Sequence, residues 1–241
     1  MGSKTTMIEM FKNEFRGWKF IEVLWLTIAT LTILGLSIYW HETPIGIISA
    51  VTGVICVVLT GKGKLSCYAF GVINCIAYAY MAYHAKFYGD FIENAFYYLP
   101  MQFVGFMAWK KHMSKESSEV IAERMTNKTR LIYLIGIITG TYVYGQFLIK
   151  LGGNLPYLDA VTNVMSVVAM ILTVKRYAEQ WFLWIIIDII TVAMWYTAFV
   201  QNQESIATLV MWMVYLINAI IMFVRWYNTS KKLEKEVVLY A

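Results

Sequence analysis

The sequence predicts an all-α integral membrane protein with eight transmembrane helices, and three observations carry that prediction. Hydrophobic residues make up 59% of the 241-residue chain and charged residues only 15%, against roughly 25% charged in a soluble domain. Mean hydropathy is +0.58, and the apolar residues gather in runs near the roughly 20 residues that a helix needs to cross a bilayer. The basic residues, whose excess gives a net charge of +5, fall almost wholly on one side of those runs. Too few charges remain to coat a soluble globule, so disorder, a disulfide scaffold and nucleic-acid binding are excluded. Cys56, Cys67 and Cys75 lie inside apolar runs without CxxC or Cys/His spacing and read as buried free thiols.

The N-terminal segment, 1–19, shows no short apolar core followed by a cleavage site, so the first run reads as a true span. Residues 8–19 (IEMFKNEFRGWK) alternate apolar and basic residues and predict either an interfacial helix on anionic lipid or an extension of the first span. The apolar runs then cover about 20–40, 45–60, 66–84, 91–110, 130–150, 156–174, 180–200 and 205–225. The second is the shortest. Pro44 and Pro156 open the second and sixth runs, where a proline at a helix start is harmless. Pro100 interrupts the fourth beside Gln102 and predicts a kink. The fourth connection (SKESSEVIAERMTNKTR) is polar and reads as a tether, with a short amphipathic helix as the alternative.

Charge asymmetry tests the span count. With eight spans, the N-terminal segment, the second, fourth and sixth connections and the C-terminal tail share one side, and they hold 18 of the 20 basic residues. Only Lys86 and Lys150 lie opposite. Both termini are therefore expected in the cytoplasm.

Runs two to four and six to eight resemble each other. VTGV at 51–54 faces VTNV at 161–164, LTGK at 59–62 faces LTVK at 172–175, and Asn74 faces Asp188. Two parallel triple-helix units need one linking span, which the fifth run supplies, giving a 3+1+3 core with the first run outside it. The expected organisation is a segment 1–19, an extra helix 20–40, a first repeat 41–113, a linker 114–151, a second repeat 152–227 and a cytoplasmic tail 228–241. Parallel repeats place a substrate site near the midplane between the halves. Gly136 and Gly140 on the fifth run have GxxxG spacing and mark a packing face.

Of 15 acidic residues, Asp188 alone sits at the centre of a span. A carboxylate there costs roughly 2.5–3.5 kcal/mol on insertion scales and usually faces a cavity or pathway. At about 100° per residue, Trp181, Trp184, Asp188 and Trp195 share a face roughly 60° wide. The third run offers Asn74 and Tyr78, the fourth a stripe of Asn94, Tyr98 and Gln102, the sixth Asn163, and the eighth Tyr215 and Asn218 beside Trp212. Singly, such amides more often join helices than bind ligands. Five spans carrying one each point to a lined cavity.

This chemistry selects a ligand type. Aromatic faces with a carboxylate attract flat cations, and amides and tyrosines suit sugar hydroxyls. No Lys or Arg lies near the midplane, so a phosphate would go unpaired there. An uncharged or cationic aromatic ligand such as a nucleoside is favoured. His41, His84 and His112 sit at span ends without a triad or metal pair, and no Walker, GxSxG or HExxH motif occurs. Neither an enzyme, an ATP-driven pump nor a cofactor or metal requirement is expected.

The run WFLWIIID (Trp181 to Asp188), the stretch from Asn74 through Tyr88-Gly89-Asp90, and the 3+1+3 organisation resemble the PnuC family. These are bacterial nicotinamide riboside transporters with the architecture of the SWEET sugar transporters, and some members carry an extra N-terminal span. The resemblance covers essentially everything after the first span. It implies uptake of this vitamin B3 form across the inner membrane by facilitated diffusion, with trapping by a cytoplasmic nicotinamide riboside kinase. It implies that Trp181 and Trp184 border the nicotinamide ring. Asp188, Asn74, Gln102 and Asn218 would bind the ribose or carboxamide, while Tyr78, Tyr98 and Tyr215 line the cavity. A homo-oligomer is compatible with so small a membrane protein. Two other readings stand beside this one: a carrier for a thiamine-like cation or a sugar in the same fold, and a ligand-sensing receptor that signals through the fourth connection.

Overall fold

A computed structural model describes residues 14–84, 91–150, 156–202 and 206–240. Eight α-helices account for these residues: α1 (Phe20–Tyr39), α2 (Pro44–Lys62), α3 (Ser66–His84), α4 (Leu99–Lys110), α5 (Asn127–Lys150), α6 (Pro156–Val174), α7 (Gln180–Asn202) and α8 (Ile206–Tyr240). A π-helical turn, Glu93–Tyr98, leads into α4. The Tyr88-Gly89-Asp90 element, Lys86 and residues 8–13 of the expected interfacial helix lie outside the described residues.

The helix boundaries follow from local chemistry. Thr43 caps α2 by accepting the Gly46 N–H at 3.2 Å, and Pro44 occupies the first turn, where no N–H is needed. Gly63, in the left-handed region (φ 78°), closes α2 with its N–H on Thr60 O, while Lys64 N–H reaches Leu59 O. The short second run is thereby a full 19-residue helix. In the fourth run, Pro100 has no N–H and its ring crowds the carbonyl four residues earlier. The helix answers with the wider π turn, in which Leu99 N–H reaches Asn94 O, instead of a free kink. That turn takes Asn94 out of α-helical register with Tyr98 and Gln102. The eighth helix does not stop at the expected tail but runs on to Tyr240.

Among the described residues, five helical segments are long and apolar enough to cross a membrane: α1, α2, α5, α6 and Leu209–Leu233 within α8. The other three helices, α3, α4 and α7, carry Asn74, Gln102 and Asp188. The exterior is a belt of exposed apolar side chains such as Ile28, Leu31, Ile76, Phe103, Ile138 and Ile220. In water such a surface would be an aggregation site; in lipid it is the expected outer face.

Helix neighbours define a ring. In order, α2, α3, α4, α6, α7 and α8 each pack on the next, and α8 returns to α2. Helix α1 covers the α2–α8 seam, and α5 packs on α6. Only Gly145 of α5 is buried, so this helix is mostly lipid-facing. Backbone detail repeats around the ring. The bonding that closes α2 recurs 113 residues later at the end of α6, where Arg176 is left-handed (φ 63°), its N–H reaches Thr173 O and Tyr177 N–H reaches Leu172 O. The turns entering the next helices match too: Cys67 and Tyr68 bond Lys64 O and Leu65 O, while Gln180 and Trp181 bond Tyr177 O and Ala178 O.

The end of the bundle that holds the second, fourth and sixth connections carries most basic side chains and is called the basic end below. A cluster of Tyr68, Trp109, Trp181 and Trp226, each at most 4% exposed, fills it. Trp109 on α4 donates its indole N–H to Thr173 O on α6 (2.9 Å), and Trp226 on α8 donates to Gly61 O on α2 (2.8 Å). The fourth connection is neither a free tether nor a helix. It folds back through an isolated β-bridge, Met113 to Val120, pairs Glu123 with Tyr177, and buries Val120, Ala122 and Met125. The described part of the N-terminal segment packs beneath it, with Trp18 against the aromatic cluster.

Candidate substrate site

The polar groups of the ring interior fall into two classes: those committed to bonds with described residues and those that keep a polar atom no described residue takes up. Asn218 belongs to the first. It is fully buried, its amide donates to Val57 O (3.1 Å), and its carbonyl accepts the Trp25 indole N–H (3.3 Å). It thus pins α8 to both α2 and α1. Gln102 lies against Gly71, where a Cβ would overlap its carboxamide, and it donates toward the Cys75 sulfur at 3.9 Å. The Tyr98 hydroxyl faces Ser166 on α6 and Glu93 in the π turn. Asn163 donates to Asp159 O within its own helix (2.7 Å).

The second class converges at Gly53 on α2. A Cβ there would overlap the Tyr215 hydroxyl from α8 and stand 2.9 Å from the Asn74 amide nitrogen from α3. Only the bare backbone of glycine admits both side chains. Asn74 donates to Ser49 O at 2.7 Å, which orients the amide and turns its carbonyl oxygen away from that bond. The Tyr215 hydroxyl makes no hydrogen bond with a described residue and lies within direct electrostatic reach of Asp188 and Tyr78. Asp188 itself is 3% exposed and has neither hydrogen bond nor ion pair with any described residue. An unpaired carboxylate at this depth is costly in isolation. The site therefore offers one negative charge, a phenol and an amide carbonyl to an incoming group.

The two predicted tryptophans separate. Trp184 is half-buried, its indole N–H 3.5 Å from the Thr173 hydroxyl, four residues from Asp188 on the same helix face. Trp181 is 3% exposed and packs edge-on against Trp226 at 6.0 Å between ring centres, inside the aromatic cluster of the basic end. The Trp195 side chain lies outside the described residues. Trp212 meets Tyr215 edge-on at 5.3 Å and braces it. Gly53, Ser49, Trp25, Ser166 and Glu93 were missed as participants. For Gly53 one signal existed: in the aligned strings VTGV and VTNV it occupies the position that Asn163 holds in the second.

A family model described as a nicotinamide mononucleotide transporter matches residues 43–228. The chain is 39% identical over 239 residues to the nicotinamide riboside transporter PnuC of Neisseria mucosa, covering 95% of this chain and 89% of that one. It is 34% identical to the transporter of the same name from Haemophilus influenzae, covering 94% and 99% of the two chains. A crystal structure described as that of the vitamin B3 transporter PnuC aligns with a TM-score of 0.83 at 37% identity, over 94% of this chain and 99% of that one. Family model, relatives and fold agree with the resemblance carried by the Trp181–Asp188 run: the chain belongs to the PnuC family of multi-pass membrane transporters.

Proposed function

We propose that this protein carries nicotinamide riboside into bacterial cells by facilitated diffusion across the inner membrane. The observation that carries this reading is Asp188, a buried carboxylate with no hydrogen-bond or ion-pair partner among the described residues, one helical turn from Trp184 and within reach of Tyr215. A pyridinium ring supplies the missing cation and a flat face for the indole, while a ribose supplies hydroxyls for the Asn74 carbonyl and the Tyr215 phenol. The name of the family model points to the mononucleotide, and the names of the relatives to the riboside. Cation placement favours the riboside. Lys62, Lys64, Arg176 and Arg225 all lie at the basic end in ion pairs or carbonyl contacts, and no Lys or Arg lies at the depth of Asp188 to receive a phosphate.

The two triple-helix units, α2–α4 and α6–α8, act as parallel repeats joined by α5, with α1 added outside. The matched caps at Gly63 and Arg176 and the ring order support that 3+1+3 reading. The halves rock about the central site, which opens to one side at a time. The basic end faces the cytoplasm, so released riboside meets a kinase there and is trapped by phosphorylation. The remaining assigned residues, Gln102, Tyr98 and Tyr78, border the cavity, and Asn218 and Trp181 act on it through packing.

The experiment is a titration of the purified protein followed by tryptophan fluorescence. Saturable quenching by nicotinamide riboside, none by the mononucleotide and no competition by thiamine support the reading. Saturable binding of the mononucleotide with equal affinity refutes the phosphate argument, and displacement by thiamine transfers the assignment to that vitamin.

A further inference from the structure

The fourth connection does more than link two halves. Glu119, in its centre, takes both Lys62 of α2 (2.8 Å) and Arg225 of α8 (2.9 Å). Glu22 of α1 takes the same two cations at 2.5 and 2.7 Å, which closes a four-membered charge square across the α2–α8 seam. Lys62 is only 3% exposed, so screening by salt is weak. Next to the square, the fully buried Lys64 ammonium donates to Arg16 O (2.6 Å), Ser118 O (3.1 Å) and Ser117 O (3.3 Å).

The same strap is fastened to the other seam. Val120 N–H bonds Gly63 O and Glu123 N–H bonds Arg176 O, both at 2.9 Å, so the carbonyls of the two left-handed cap residues anchor it on either half. Arg176 pairs with Glu123 and reaches Ile121 O at 3.2 Å, and Glu179 accepts Met125 N–H at 3.2 Å. Halves cinched at one end by a single strap cannot separate there until one fastening lets go. The fastening over α6 and α7 combines backbone bonds with a buried arginine. At the α2–α8 seam the Val120–Gly63 backbone bond holds the strap to α2, while the side-chain pairs of Glu119 tie it to α8 and lie over a cavity of about 30 Å³ bounded by Gly61, Lys62, Arg225 and Trp226, roughly the room a water needs to hydrate a departing carboxylate.

We propose that Glu119 is the latch of an inward gate: the basic end opens when Glu119 lets go of Lys62 and Arg225, and the halves α2–α4 and α6–α8 part there at the α2–α8 seam. This rests on the alternating-access reading given above.

The test uses Cys67, which is 1% exposed in the aromatic cluster behind the latch. With Cys56 and Cys75 replaced by Ser, labelling of Cys67 by a membrane-impermeant maleimide is followed in inside-out vesicles. E119Q keeps the shape and removes the charge. It is expected to raise the labelling rate about tenfold, the factor for a shift of roughly 1.4 kcal/mol in the opening equilibrium, with an unchanged thermal melt. An unchanged rate in a folded E119Q protein overturns the proposal. A second measurement needs no loosened state. In a cysteine-free background, E119C/R225C joined by a cleavable bifunctional thiol reagent should lose riboside uptake and regain it on cleavage. Uptake that continues while the two positions are joined overturns it as well. If the unmodified protein carries no riboside, the substrate reading fails, and the labelling result, which needs no substrate, still decides the latch.

Discussion

Asp188→Asn should separate binding from stability with opposite signs. The change is isosteric, so it leaves no cavity, and no described residue bonds Asp188. In the apo protein it removes an unbonded acidic group from the bilayer interior, relieving up to about 2 kcal/mol of the cost that insertion scales assign to aspartate at a helix centre. For a chain of this size that raises the melting temperature by roughly 4–8 °C. In the complex the same change removes the counter-charge of the pyridinium. At about 6 Å and an effective dielectric of 20, the attraction is near 3 kcal/mol, and partial desolvation of the ligand leaves a net 1.5–3 kcal/mol. Affinity for nicotinamide riboside therefore falls roughly 10- to 150-fold. The assay is fluorescence titration beside a thermal melt, each repeated with the reduced, uncharged dihydronicotinamide riboside. The neutral ligand should lose less than about threefold, since only the charge term is removed. Equal losses for the charged and neutral ligands, or a lowered melting temperature, would show that Asp188 is a structural hydrogen-bond partner and refute the cation argument.

Other substitutions test the rest of the site. Gly53→Ala forces the Tyr215 hydroxyl and the Asn74 amide apart, an overpacking worth about 1–3 kcal/mol; uptake should drop at least fivefold, and Tyr215→Phe in the same chain should restore part of it. Trp25→Phe leaves the buried Asn218 carbonyl without its donor at a cost of about 1–3 kcal/mol, which should appear as a lowered melting temperature with riboside affinity unchanged. Trp184→Phe should weaken binding without changing the melt. Trp181→Phe, whose indole N–H has no partner, should lower the melt through lost packing in the aromatic cluster and leave affinity within about threefold.

What was legible in the sequence was what depends on composition along one helix. Lipid-facing runs, the cation asymmetry, the proline in the fourth run and the isolated Asp188 need no neighbour to be recognised. What escaped depends on neighbours. Trp181 and Trp184 share a helix face, and periodicity gives the face but not the depth. Trp181 lies in the first turn of α7 and meets Trp226, whereas Trp184 sits one turn further in. Asn218 looked free because its partners, Trp25 and Val57, are 193 and 161 residues away. The fourth connection was read as a tether because it is polar. Its Val120, Ala122 and Met125 are small or spaced apart, and only the grooves they enter reveal that the strap is fitted.

The proposed parallel repeat accounts for a site that is asymmetric within a symmetric frame. At matched depth, the first half presents Asn74 and the second Asp188. The amide is partly committed, donating to Ser49 O, and holds out an acceptor; the carboxylate, which no described residue bonds, holds out a counter-charge for a cation. A ligand with a cation at one end and hydroxyls at the other has one orientation that satisfies both, and turning it round would place hydroxyls on the carboxylate and a cation on an oriented dipole. A second carboxylate in place of Asn74 would remove that preference and add a charge that a monocation leaves unpaired. On the proposed site, one amide and one carboxylate are thus the smallest set that would fix both the charge of the ligand and its direction of entry.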